Sequence, residues 1–444
     1  GGAAVFAPLS SRGVRVARPN PMAAYWLPFG AMQARPWSRD DPDGNIIICV
    51  AENKISLDLV HERLLRCTPI PAEAMCYSAT MHGTPRLRNA LAGMLSRTIM
   101  KGILVDPANI TVQCGGTSVL NSIFYVLAEP SQAVLIPTPY YPAFDNDLTF
   151  YAELVPTPFT LDESIDVTAQ LNAAAAASAA AGAPVRVLLL TNPQNPLSTM
   201  YKRSTLVDAL AWCMRRRVHL VSDEFYGLTA GWGEGSAPFE SLEAIARAEA
   251  GRLMPDGDAL AASLLHVVFG VSKDLCMSGV RVGALHSRCA DVNNAMFCTT
   301  FFSTASAVAQ HLCAELAEDT QWLSSFLAAN AARLRAAYGA LASALREQRI
   351  PFVEADSALF CWVDLREGLR PERGSGGGGA TWDDEHALWS QLHERHGVLL
   401  VPGRSCHASE PGFFRICWSW VSPEALPDAA RRIRACLDLR NVAA

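Results

Sequence analysis

Four short apolar runs mark the middle of the chain: AVLIP at 133–137, VRVLLL at 185–190, VHLVS at 218–222 and LHVVFG at 265–270. Each is rich in Val and Leu and lacks the polar alternation of a half-exposed strand, the pattern of a strand buried on both faces. Between them apolar positions recur at helical spacing, as from Ser204 to Arg216, with Ser204 as a candidate N-cap. The run Arg215, Arg216 and Arg217 ends that helix and complements its dipole. NAAAAASAAAGAP, 172–184, predicts an Ala-rich helix stopped by Gly182 and Pro184. This alternation predicts an α/β fold with a mostly parallel sheet covered by helices. From about 306 the pattern changes to a long helical stretch, 306–349, followed by ALFCWVDL and FFRICWSW. That predicts a separate, smaller α+β domain. RGSGGGGATW, 373–382, reads as a flexible surface insertion. The expected division is 1–80 as an N-terminal arm and part of the small domain, 81–305 as the large domain, and 306–444 as the C-terminal small domain.

Composition narrows the function. A chain of 444 residues that is 50% hydrophobic is ample for a large core. The net charge of −6 and the lack of a long basic block argue against a nucleic-acid partner. The 13 Cys include no Cys-x-x-Cys pair and no His cluster accompanies them, so we expect buried, reduced thiols in an intracellular protein and no metal site. No apolar run approaches the roughly 20 residues needed to span a membrane. Residues 1–39 contain no acid and carry Arg12, Arg15, Arg18 and Arg35, a composition weakly like an organelle transit segment. We favour a flexible arm lying on a partner subunit, in a cytoplasmic protein.

The lysines change the picture further. Lys occurs only at 54, 101, 202 and 273, so the chain uses Arg wherever a positive charge suffices. Arg cannot serve as an amine nucleophile, whereas a deprotonated Lys can. Lys273 follows one buried run, in VSKDL; SDEFYG follows another, and TNPQNPLS a third. Three strand ends thus deliver Asn195, Asp223 with Tyr226, and Lys273 to the edge where α/β sheets place their chemistry. An Asn-Pro turn or a helix-capping Asp would explain each alone, but not the set.

Pyridoxal 5′-phosphate requires such a set. Lys273 would hold its aldehyde, Asp223 would keep the pyridine nitrogen protonated, and Asn195 and Tyr226 would donate to the phenolic oxygen. NITVQ running into Gly115, Gly116, Thr117 and Ser118 and then a helix offers backbone N–H groups to the phosphate. Arg281 would add a guanidinium. Tyr141, in PTPYYP, could stack on the ring.

These motifs resemble the fold type I pyridoxal-phosphate enzymes of the aminotransferase class I/II group, and most of all the 1-aminocyclopropane-1-carboxylate (ACC) synthases. The resemblance spans roughly 45–425 through VAENKISLDLV, PTPYYPAFDNDL, TNPQNPLS, SDEFYG, SKDLCMSGVRVG and CHASEPGFFRICW, in the family's order. It implies Lys273 as Schiff-base lysine and proton shuttle, Tyr141 and Asp223 beside it in catalysis, and Gly116, Thr117, Ser272 and Arg281 at the phosphate. It further implies Glu52 near the substrate's amino-acid portion, Arg415 on its α-carboxylate, and a homodimer. Three departures stand out. Met81 replaces a Tyr that reaches the neighbouring subunit's cofactor, Gly270 replaces a Ser that binds phosphate, and Cys276-Met277-Ser278 replaces Gly-Leu-Pro.

The first function the resemblance implies acts on S-adenosyl-L-methionine: loss of the Cα proton to Lys273, then departure of the sulfonium from Cγ. Related γ-substitution would use the same substrate. Transamination would use the same lysine. A non-catalytic homologue is a further alternative, against which Lys273, Asp223, Asn195, Tyr226 and Arg415 all speak.

Overall fold

The computed structural model describes residues 9–17, 25–77, 80–369 and 379–442. Its central feature is a seven-stranded sheet: β1 (Ile110–Gln113), β2 (Ala133–Thr138), β3 (Val155–Thr160), β4 (Val185–Thr191), β5 (His219–Asp223), β6 (Leu265–Gly270) and β7 (Gly283–Ser287), in the spatial order β1-β7-β6-β5-β4-β2-β3. The pairs joining β3, β2, β4, β5 and β6 are parallel, and β7 runs antiparallel to both of its neighbours. The continuous runs are buried for the expected reason: Val187 to Leu190 and Val267 to Phe269 lie between helices on both faces.

Strand β3 was not foreseen. Pro156 and Pro158 interrupt it and half of it faces solvent. It survives at the sheet edge, where a missing N–H leaves no unpaired partner.

A second, four-stranded antiparallel sheet carries Phe360–Asp364 paired with Phe413–Cys417, flanked by Phe352–Val353 and Val401–Pro402. The expected long helical stretch is two helices, Ala307–Glu318 and Thr320–Glu347. Asp319 separates them, its carboxylate accepting the N–H of Trp322 at 3.0 Å to start the second. Ser204 is not the cap of its helix, which begins at Arg203; Lys202 stands at the N-cap with no side-chain bond. The backbone N–H of Lys202 instead donates to Glu163 at 2.8 Å, and Arg203 pairs with Glu240 and Glu249, so that end is held from outside the helix. Residues 373–378 of the Gly-rich insertion lie outside the described residues; 379–382 are described. Thr381 and Asp384 form a reciprocal capping box and Trp382 opens the helix Trp382–Glu394.

Parts of the N-terminal segment also lie outside the described residues. Of the described part, some side chains meet the same chain while Leu9, Val14, Val16 and Leu27 stay exposed. Arg15 pairs with Glu153 at 2.8 Å. Tyr25, Met32 and Ile46 to Val50 join the main core, and Ile46–Ile47 pairs in parallel with Val398–Leu399.

Candidate active site

Strands β4, β5 and β6 are neighbours with Thr191 opposite Asp223 and Asp223 opposite Val268, so their carboxyl ends lie side by side. The chain beyond them lines a cleft formed by Ala51, Tyr141, Asn195, Asp223, Phe225 and Lys273 together with the start of the helix Gly116–Leu127. Gly116, Thr117, Tyr226, Ser272 and Arg281 complete its wall.

Lys273 is half-buried here and donates from Nζ to the carbonyl of Ala51 at 2.6 Å. The other three lysines lie at the surface, Lys54 with its ammonium 3.2 Å over the Trp420 ring. Burial lowers the Lys273 amine to about 8, opposed by the nearby charge of Glu52. Glu52 itself is outside the cleft wall, its backbone carbonyl accepting the Ser419 hydroxyl at 2.7 Å. Next to Lys273, the buried Asp274 accepts the N–H groups of Leu228 and Thr229 at 3.0 Å and the Thr229 hydroxyl at 2.9 Å. It thereby fixes the turn that carries Tyr226.

Asp223 is 6% exposed, and burial pushes its carboxyl up to about 7 against the pull of the Phe225 N–H, 3.2 Å away, and of Lys273. Tyr226 is buried and its hydroxyl is held well above the usual phenol range by desolvation. Tyr141 packs edge-on against Phe144 at 5.3 Å.

The start of the helix Gly116–Leu127 forms one end of the cleft. Gly115 sits at φ +87° and a Cβ there would meet Arg281 Nη2 at 2.2 Å, so the guanidinium lies across the helix start. Arg281 is itself left-handed, at φ +60°, and donates to the Ser278 carbonyl at 2.8 Å. The Ser278 hydroxyl donates to the Ser272 carbonyl at 2.9 Å. The departure at 276–278 therefore supplies its own bracing between the lysine turn and Arg281. Gly115 and Ser118 are not in the cleft wall, and Ser118 turns its hydroxyl back to the Cys114 carbonyl at 3.1 Å.

Arg415 lies just behind the wall. It is 1% exposed on the strand Phe413–Cys417, with Phe414, Ile416 and Trp418 fully buried around it. Its Nη1 donates to Asn195 and its Nη2 to the Cys49 carbonyl, both at 2.9 Å. The guanidinium rests 4.6 Å from the Phe360 ring centroid, and Nε has no partner.

Sequence reasoning missed four contributors: Ala51, Phe225, Phe360 and Tyr25. Tyr25 is 3% exposed, with burial raising its hydroxyl and the charge of Arg415 lowering it. Phe225 and Ala51 lay inside motifs already singled out, SDEFYG and VAENKISLDLV; Phe360 and Tyr25 did not. Met81 accepts a weak contact from the Thr304 hydroxyl at 3.9 Å. Among the described residues no group of His, Cys, Asp and Glu could hold a metal ion. All 13 cysteines are free thiols, eight of them buried.

The model of the family described as aminotransferase class I and II matches residues 76–433. The chain belongs to that family. The 1-aminocyclopropane-1-carboxylate synthase 4 of Oryza sativa subsp. japonica is 34% identical over 422 residues, covering 90% of this chain and 83% of its own length. The 1-aminocyclopropane-1-carboxylate synthase 11 of Arabidopsis thaliana is 30% identical, covering 94% and 90%. In structure, an aspartate aminotransferase double mutant of Thermus thermophilus superposes with a TM-score of 0.74 at 20% identity, covering 97% of this chain and 100% of that one. The aspartate aminotransferase of Rhizobium meliloti gives 0.74 at 22%, covering 98% and 99%. The fold is the fold type I architecture, and the protein is an ACC-synthase-like enzyme dependent on pyridoxal 5′-phosphate. Among the described residues no helix is long and apolar enough to cross a membrane.

Proposed function

We propose that the protein converts S-adenosyl-L-methionine to 1-aminocyclopropane-1-carboxylate and methylthioadenosine. The observation that carries this reading is the meeting, at one cleft, of an amine lowered to about 8, a buried carboxyl and Asn195, which Arg415 holds from behind the wall. The cleft suits the cofactor because a guanidinium crosses a bare helix start at one end while a carboxyl without a cationic partner in hydrogen-bond range lies at the other. In this reading Gly116, Thr117, Ser272 and Arg281 hold the phosphate and Asp223 takes the ring nitrogen. Asn195 and Tyr226 face the phenolic oxygen, Tyr141 covers the ring face, and Lys273 carries the aldehyde. Pyridoxal phosphate supplies the electron sink that makes a Cα carbanion accessible.

The chain's own part is proton and charge management. Lys273 Nζ, lowered by burial toward neutrality, takes the proton from substrate Cα. Arg415 grips the α-carboxylate in two-point contact. The carboxylate of Glu52, already felt by Lys273, attracts the substrate's sulfonium. Cα then bonds to Cγ as the Cγ–S bond breaks, releasing methylthioadenosine, and the Cα proton ends on Lys273. The relatives at 30–34% identity favour this chemistry over transamination. The test is to supply S-adenosyl-L-methionine to the holoenzyme and assay methylthioadenosine release alongside that of Lys273→Ala, which should release none.

We read the active form as a homodimer with a cofactor-binding unit near 81–305. Phe301 and Phe302, 65% and 96% exposed, stand close in sequence to Thr304, whose hydroxyl meets Met81, on the surface where the resemblance places the second subunit. The pairing of Ile46–Ile47 with Val398–Leu399 supports grouping 1–80 with 306–444. Sedimentation at a single monomer mass at micromolar concentration would overturn the dimer.

A further inference from the structure

We infer that Phe225 and Gly270 act as one unit shaping the anion end of the cleft, and that Phe225 decides which side chains reach a phosphate there. The inference rests on reading the cleft as the cofactor site. A Cβ on Gly270 would lie 2.5 Å from Cε1 of Phe225 and 2.9 Å from its Cζ, both closer than the Val282 carbonyl oxygen at 3.0 Å, so the ring is the first obstacle and a small shift of that carbonyl the second. A Cβ on Gly116 would lie 2.4 Å from Cζ and 2.7 Å from Cε2 of the same ring. One ring edge therefore fills the gap between the end of β6 and the start of the helix Gly116–Leu127.

Gly270 has φ 177°, extended backbone that any residue adopts. Space, not backbone conformation, demands glycine at this position. The ring cannot swing freely either, because the Phe225 N–H is tied to Asp223 and the side chain is only 7% exposed. It stands among Thr117, Ser272 and Arg281, so the cup has one apolar wall where a serine hydroxyl at 270 would otherwise point. Gly270 and Phe225 are thus sterically coupled: with this ring in place, position 270 has no room for a Cβ. A serine placed at 270 alone must push the ring into the cup and displace the anion; with a smaller side chain at 225 the same serine becomes a phosphate ligand.

The experiment is a double-mutant cycle on the apoenzyme with Gly270→Ser, Phe225→Ile and the double variant. Each protein is titrated with pyridoxal 5′-phosphate and with pyridoxal, and the dissociation constants are read from the visible absorbance. We expect Gly270→Ser to weaken pyridoxal-phosphate binding by about tenfold or more. The double variant should bind at least as tightly as wild type. Pyridoxal, which lacks the phosphate, should bind all four proteins within about threefold of one another. Tight binding by Gly270→Ser, or a double variant equal to the product of the singles, overturns the inference. If Gly270→Ser does not fold, recovery of a folded, binding protein on adding Phe225→Ile supports the coupling, and failure to recover overturns it. Wild-type apoenzyme that forms no absorbance band with pyridoxal phosphate would overturn the reading of the cleft as a whole. A normal band with additive effects would overturn this inference alone.

Discussion

Arg415 donates from Nη1 to Oδ1 of Asn195 at 2.9 Å. A guanidinium has only donors, so this bond fixes the amide with its oxygen toward Arg415 and its Nδ2 toward Tyr226, whose hydroxyl lies 3.5 Å away. Asn195 can therefore present only a donor to a group beside Tyr226. The residue we assign to the substrate carboxylate thus orients a residue we assign to the cofactor.

Arg415→Met should lower kcat/KM by about two to four decades, because it leaves the substrate carboxylate without its buried charged partner, a loss of about 3–5 kcal/mol. The Arg415–Asn195 bond adds a second expectation. Freed from its donor, Asn195 can turn, and the pH midpoint of the cofactor's visible band should move by up to about one unit, since a neutral hydrogen bond contributes about 1 kcal/mol. A variant with near wild-type turnover, or one with lost turnover and an unmoved band, contradicts the corresponding half of the argument.

Lys273 should make the apoenzyme's reactivity toward pyridoxal pH-dependent. Burial depresses its amine from the ordinary lysine range to about 8, so the uncharged, reactive fraction rises with pH through that value. The carboxylate of Glu52 raises the same amine, and Glu52→Gln should move the midpoint to lower pH. Trapping with borohydride at a series of pH values, followed by peptide mass spectrometry, measures both. A midpoint near 10, or an upward shift in Glu52→Gln, contradicts the electrostatic account.

His286 offers a test of the core. It is 2% exposed on β7, and burial lowers its imidazole to about 4, against about 6.5 in an unfolded chain. Between those values the native state binds fewer protons, so this contribution is complete above pH 6.5 and is lost as pH falls toward 4. Asp223, Glu224, Asp274 and Glu385, pushed up to about 7 by burial, act in the opposite sense, so the useful quantity is a difference. The stability gap between wild type and His286→Gln should shrink by on the order of 3 kcal/mol from pH 7 to pH 4. A gap independent of pH would mean that His286 titrates normally.

The parallel strands were legible because burial on both faces leaves a continuous apolar run, and their polar ends then point to Asn195, Asp223 and Lys273. Strand β3 was not, because an edge strand with Pro156 and Pro158 carries neither an apolar run nor clean alternation. Gly270 was visible as a departure, but its cause was not. Phe225 lies 45 positions away in the chain, and only the folded sheet sets its ring against Gly270 and Gly116. Tyr25 was hidden for a similar reason: an acid-free, Arg-bearing segment reads as an arm, and nothing local signals that one of its aromatic side chains is buried within range of the Arg415 charge.

The most direct test of the central claim is product analysis with S-adenosyl-L-methionine as the sole substrate. Holoenzyme should release methylthioadenosine and 1-aminocyclopropane-1-carboxylate in equal amounts, and Lys273→Ala should release neither. Failure to release methylthioadenosine, together with transfer of the amino group between an amino acid and a keto acid by the same preparation, would contradict the account and make the protein an aminotransferase.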